Sequence, residues 1–208
     1  IDVLQQQVIF ASCNMTDDIK ERFISTFAMP SKPYVLWKLA FAKVFKDKGG
    51  FDIVIGNPPY RLCQPSNTDE LLLKYYKSHF QVAGYKIDLF HLFFEKGINL
   101  LKKNGVLGYI TPNTYLTNKY IKPLRQFILD TCKIYKIINH DKVFDTASVD
   151  TATIILSKEY TENNQVEILQ TANFTFTQIC KKEQKEWRSD KEYIFNINTE
   201  TISTSNNC

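Results

Sequence analysis

The sequence predicts an α/β fold, with helices layered on parallel strands and an antiparallel strand pair at one edge. Three observations carry this. The runs FDIVIG (51–56) and VLGYIT (106–111) are short, apolar and rich in β-branched residues, the pattern of strands buried on both faces of a parallel sheet. Helical stretches lie between and after them, so the order is strand–helix–strand–helix–strand. The last two strands, IYKIINH (134–140) and VDTATIILS (149–157), are joined by a short connection, which favours antiparallel pairing.

The remaining elements follow from local signals. DDIKERFISTF (17–27) spaces Ile19, Phe23 and Phe27 by four, as on a short helix, before Pro30 and Pro33 interrupt the chain. YVLWKLAFAKVF (34–45) is apolar and helical or irregular. Residues 69–82 place Leu71, Leu72, Tyr75 and Tyr76 on one side of a helix. DLFHLFFEKGINLLKKNG (88–105) reads as a clearer one, with Asp88 as N-cap, Lys102 and Lys103 in the last turn and Gly105 as its stop. KYIKPLRQFILD (119–130) is another, with Pro123 in its first turns. Beyond Lys158 the chain turns polar, then weakly alternating, then highly charged, and ends in a Ser/Thr/Asn-rich tail. Residues 1–158 therefore read as the main domain, and 159–208 as a connector and the start of a further one.

Composition narrows the classes. An apolar fraction of 44% and a charged fraction of 23% suit a soluble globular chain, and a net charge of +4 is compatible with a polyanionic partner. The five cysteines form no Cys-x-x-Cys pair, which argues against a disulfide framework or a zinc site and for a reducing, cytoplasmic setting. No signal peptide or membrane-length apolar run is present.

The chemistry lies where FDIVIG ends, in Asn57-Pro58-Pro59-Tyr60. Two prolines fix φ and remove two backbone donors, so the Pro58 carbonyl can point outward. Asn57 adds a side-chain carbonyl and Tyr60 a flat ring. Ligands bind outside the carboxyl ends of strands in such sheets. Two adjacent acceptors can take both hydrogens of a planar amine, draw its nitrogen toward tetrahedral geometry and support the positive charge that develops as it attacks an electrophile. The stacked ring positions the group that bears the amine. Methyl transfer is the obvious case.

GGFDIVIGNPPY resembles motif IV of the S-adenosylmethionine-dependent amino-methyltransferases, above all the adenine-specific DNA methyltransferases of bacterial type II restriction–modification systems. KIDLFHLFFEKGINLLKKNGVLGYITPNTYL, NKYIKPLRQFILD and KVFDTASVDTATIILSK resemble the blocks that follow it in that family, so the likeness runs from about Trp37 to Lys158. It implies the C-terminal part of a Rossmann-like methyltransferase domain. By position, Asn57 and the Pro58 carbonyl would accept the hydrogens of adenine's exocyclic amino group, Pro59 would hold their geometry, and Tyr60 would stack on the base. Phe144 matches an aromatic that packs on the target base from the other side, although from its sequence setting alone it reads as core. Phe93 matches a position touching the cofactor's adenine ring. The resemblance further implies S-adenosyl-L-methionine as cofactor, double-stranded DNA as partner and no metal, with a nuclease domain or subunit elsewhere in some relatives.

The family's glycine-rich cofactor turn has no counterpart. None of the seven glycines precedes Gly49, and no Gly-x-Gly occurs. The chain, which starts at isoleucine, is therefore expected to be a piece of a larger protein that begins after the cofactor motifs and stops as a target-recognition domain starts. Alone it is expected to bind the cofactor weakly or not at all and to be inactive. Two other readings fit the motif: a protein glutamine methyltransferase, since a glutamine amide is also a planar amine, and a non-catalytic DNA-contacting subunit.

Overall fold

The computed structural model describes residues 16–18, 21, 24–25, 35–140, 150–172 and 175–198. Contacts divide the chain into two compact units, Ile1–Ala42 and Lys43–Cys208. In the first, the described residues between 17 and 25 are helical, within the stretch expected to be a helix, and α1 spans Trp37–Ala40. The following helix, α2, spans Ala42–Lys48.

The larger unit is built on a six-stranded sheet in the order β1-β4-β6-β5-β7-β8. The strands are β1 (Phe51–Gly56), β4 (Leu101–Pro112), β5 (Lys133–His140), β6 (Thr151–Ser157), β7 (Gln165–Ala172) and β8 (Thr175–Glu183). β1 runs parallel to β4 and β5 to β7, while β4–β6, β5–β6 and β7–β8 are antiparallel. A separate antiparallel pair joins β2 (Leu62–Cys63) to β3 (Ile87–Asp88). The helices are α3 (Glu70–His79), α4 (Leu89–Leu100), α5 (Lys122–Thr131) and α6 (Gln184–Ser189).

The antiparallel β5–β6 pair expected from the sequence is present, but β7 and β8 extend the sheet beyond it. Residues past Lys158 thus join the same sheet. Their Trp187 and Phe195 stack at 4.8 Å and are buried in the core. Gln184, fully buried, donates to the Cys132 carbonyl at 2.8 Å and accepts the Ile134 N–H at 3.0 Å.

Two expectations are corrected. The helix expected to reach Gly105 stops at Leu100, and Lys102 and Lys103 lie in β4. The chain must turn there to run beside β1: a Cβ on Gly105 would stand 2.7 Å from the Phe51 carbonyl oxygen, and Lys102 pairs with Asp52 at 2.5 Å. β1 is also not buried on both faces. Ile53 is 68% and Ile55 84% exposed, because β1 is the outer strand among the described residues and α4 covers only one of its faces. On that covered face α4 approaches closely at Gly97, where a Cβ would meet the Tyr109 hydroxyl at 2.5 Å. Among the described residues, no helix is long and apolar enough to cross a membrane.

Candidate active site

The tetrapeptide follows β1 directly, at the carboxyl end of the parallel β1–β4 pair. Asn57 and Pro59 are exposed, Pro58 is buried, and Tyr60 is half-buried. Among the described residues, no group hydrogen-bonds the Asn57 side chain or the Pro58 carbonyl. The Tyr60 hydroxyl donates to the Ile110 carbonyl at 3.4 Å, which ties the ring to β4. Burial holds its phenol above the ordinary tyrosine value, so it stays protonated at neutral pH.

The segment after Tyr60 is braced from two directions. The Arg61 N–H donates to the Asp88 carboxylate at 2.9 Å, and the Arg61 carbonyl accepts the Leu89 N–H at 3.0 Å. Asp88 also caps α4, accepting the Phe90 N–H at 3.4 Å, while His91 accepts the Asp88 N–H at 3.4 Å in a capping box. Asn67 folds the loop back: its side chain accepts the Gln64 N–H at 2.9 Å and donates to the Leu62 carbonyl at 3.0 Å, and its carbonyl accepts from the Arg61 guanidinium at 2.5 Å. The sequence marked Asp88 only as a helix cap and gave Asn67 no part. The Asx-type turn chemistry of QPSN was the available signal for the latter.

Phe93 lies on the exposed stripe of α4 with Lys96 and Asn99, and is itself 44% exposed. Its ring is not core packing. Phe144, the second aromatic expected at the target base, lies outside the described residues. Among the described residues, no group of His, Cys, Asp and Glu could hold a metal ion.

The segment from Asn57 to Tyr60, with the braces behind it, lies in a stretch that matches known proteins. Residues 13–144, more than half of the chain, match the model of the Eco57I restriction-modification methylase family. The chain belongs to that family. The matched span of this Eco57I-family protein contains Asn57 to Tyr60 and Phe93, and ends at Phe144. It is 31% identical over 158 residues to the type II restriction enzyme and methyltransferase RM.Eco57I of Escherichia coli, covering 74% of this chain and 14% of that protein. It is 31% identical over 176 residues to the type II methyltransferase M.BstVI of Geobacillus stearothermophilus, covering 78% and 30%. The chain thus spans less than a third of these relatives.

Solved structures agree on the fold. The type IIG restriction endonuclease BpuSI superposes with a TM-score of 0.52 at 19% identity, over 65% of this chain and 19% of that one. A Listeria monocytogenes protein assigned to the class I S-adenosylmethionine-dependent methyltransferases gives 0.50 at 18%, over 61% and 38%. The Eco57I-family chain therefore carries a mixed α/β fold of the S-adenosylmethionine-dependent methyltransferase type.

Proposed function

We propose that this chain carries the target-amine site of a DNA methyltransferase that modifies the exocyclic amino group of an adenine turned out of the duplex. The observation that carries the reading is that no described residue bonds the Asn57 amide oxygen or the Pro58 carbonyl, which precede the braced Tyr60 ring in the chain.

The residues divide the work. Asn57 and Pro58 accept the two amino hydrogens, which pulls the nitrogen out of conjugation with the ring, and they carry the positive charge that grows on it. Tyr60 stacks on the base, and its bond to Ile110 sets the plane of the ring. Pro59, with φ fixed, keeps the acceptors and the ring in register. Extrusion of the base costs a few kcal/mol, and stacking on an aromatic returns about 1–3 kcal/mol per ring. Two such rings, Tyr60 and the Phe144 that the family resemblance assigns to the target base, would be of the right size. S-adenosylmethionine would supply the methyl group as an electrophile. The exposed Phe93 ring is the surface here that fits its adenine, and the protein would need further residues to hold the rest of it.

The test uses the full-length protein. Asn57→Ala is expected to abolish methyl transfer to duplex oligonucleotides while DNA binding persists. Retained transfer, or transfer to a glutamine-containing peptide in place of DNA, would overturn the reading.

A further inference from the structure

A second cluster is built by segments that flank the bracing elements and has no part in holding the amine. Tyr85 and Tyr120 come from separate segments, just before β3 and between β4 and α5, yet their ring centroids lie 5.7 Å apart. Tyr85 is 82% and Tyr120 42% exposed. Lys86 and Lys119 set their ammonium groups 5.4 and 5.2 Å from the centroid of the Tyr120 ring. The close fit of Gly84, where a Cβ would sit 3.3 Å from Pro123 and 3.6 Å from the Tyr120 carbonyl, brings the two segments together.

The charge at this cluster is unbalanced. Lys122 next to it lies 5.6 Å from the Tyr193 ring but is paired with Glu192 at 3.6 Å and donates to the Lys191 carbonyl. Lys86 and Lys119 have no carboxylate partner among the described residues. Two ammonium groups gathered on one ring repel each other, and the ring's negative face offsets only part of that. An anion held between them would remove the rest. The position is also telling. Lys86 is two residues from Asp88, which binds the Arg61 N–H, and Arg61 follows Tyr60. Two extended residues span at most about 7 Å, so the Lys86 backbone lies within that distance of the Asp88 that braces the amine-holding loop.

We propose that Lys86, Lys119, Tyr85 and Tyr120 form a clamp for the phosphodiester backbone of the DNA strand that carries the target base. The ammonium groups take phosphate oxygens, and the tyrosine rings lie against sugar or base. Such contacts fix register without reading sequence, which is what a strand needs once one base has left the stack. This rests on the DNA reading proposed above.

The experiment measures binding of a fluorescent duplex oligonucleotide to the full-length protein across a salt series, alongside methylation kinetics. Lys86→Gln with Lys119→Gln should reduce the slope of log affinity against log salt by about 2, since each phosphate contact contributes about 0.9, and should raise KM for DNA. Lys86→Arg with Lys119→Arg should keep the wild-type slope, and Tyr85→Ala with Tyr120→Ala should weaken binding without changing it. An unchanged slope in the glutamine variant of a protein that still methylates DNA overturns the clamp alone. A wild-type protein with no salt-dependent DNA binding, or with glutamine peptide as its methyl acceptor, overturns the DNA reading and the clamp together.

Discussion

One oxygen of the Asp88 carboxylate accepts both the Arg61 N–H, at 2.9 Å, and the Phe90 N–H, at 3.4 Å. The residue after the proposed base-stacking Tyr60 is thereby bound to the first turn of α4. The loop that carries the acceptors and the helix that carries Phe93 share this anchor, beside the Leu89 N–H that donates to the Arg61 carbonyl.

That anchor predicts a split between stability and activity. Asp88→Ala should cost about 1 kcal/mol, the usual worth of a helix cap, measured by urea unfolding. Methyl transfer should fall further than this, by roughly tenfold to a hundredfold, because a misplacement of about 1 Å at a reacting centre is enough for that. Asp88→Asn keeps the acceptor oxygen and should restore most of both. Equal losses of stability and rate in the alanine variant would show that Asp88 is only a cap.

Tyr60 has two separable parts. Tyr60→Phe removes the hydroxyl bond to Ile110 but keeps the ring, so binding of DNA with a mismatched target adenine should change little. Tyr60→Ala removes the stacking surface and should weaken that binding by about 1–3 kcal/mol, which is about fivefold to 150-fold. 2-Aminopurine fluorescence at the target position reports the loss directly. A phenylalanine variant as defective as the alanine variant would shift the role from ring to hydroxyl.

Much of this arrangement was legible in the sequence because its physics is local. A β-branched run ending in Asn-Pro-Pro-Tyr already specifies a strand, a stiff end and two acceptors. The braces were not legible, because they pair residues distant in sequence: Arg61 with Asp88, Tyr60 with Ile110. The same holds for Arg125. Fully buried, it donates to the carbonyls of Tyr115, Asn118 and Glu192 at 2.8 Å each, and so binds the 190s segment to α5. The run CKKEQKEWRSDKE looks like solvated surface by charge alone. The side chains that decide its place, Gln184 and Trp187, are two among many polar neighbours. The end of α4 departs from its local signal, because KKNG after an apolar helix is a good C-terminal stop and only the pairing of β4 with β1 overrides it.

Stability should depend on pH through the buried His91 and, in the same sense, the half-buried His140. His91 is almost fully buried, and burial lowers its pKa from 6.5 to about 4. His140, bonded to the Thr171 and Thr153 hydroxyls, is lowered for the same reason. Both stay neutral in the folded chain while the unfolded chain takes up protons below pH 6.5. Stability is therefore complete above pH 6.5 and is lost as pH falls toward 4, by about 3 kcal/mol for His91. Asp88, raised by burial, acts in the opposite sense near the bottom of that window. His91→Gln retains an acceptor for the Asp88 N–H in the capping box and should flatten the profile between pH 6.5 and 4.5. Denaturant midpoints across that range decide it, and a variant as pH-sensitive as the wild type would exclude His91 as the cause.

The exposed edge of β1 carries a last consequence. Among the described residues β1 has β4 as its sheet neighbour on one side only, and on this outer strand Ile53 and Ile55 are 68% and 84% exposed. An apolar strand at the edge of a sheet is a template for pairing with another chain. The 208-residue chain should accordingly self-associate as its concentration rises. Ile53→Thr with Ile55→Lys should suppress this, since a lysine on an edge strand disfavours a second strand. The folded state should lose little, because exposed substitutions away from special features shift stability by about 0.5 kcal/mol or less. Sedimentation velocity compares the two chains over a concentration series. If the wild-type chain stays monomeric throughout, the β1 edge is not a free pairing surface. If the double variant associates as readily as the wild type, the contact lies elsewhere on the molecule.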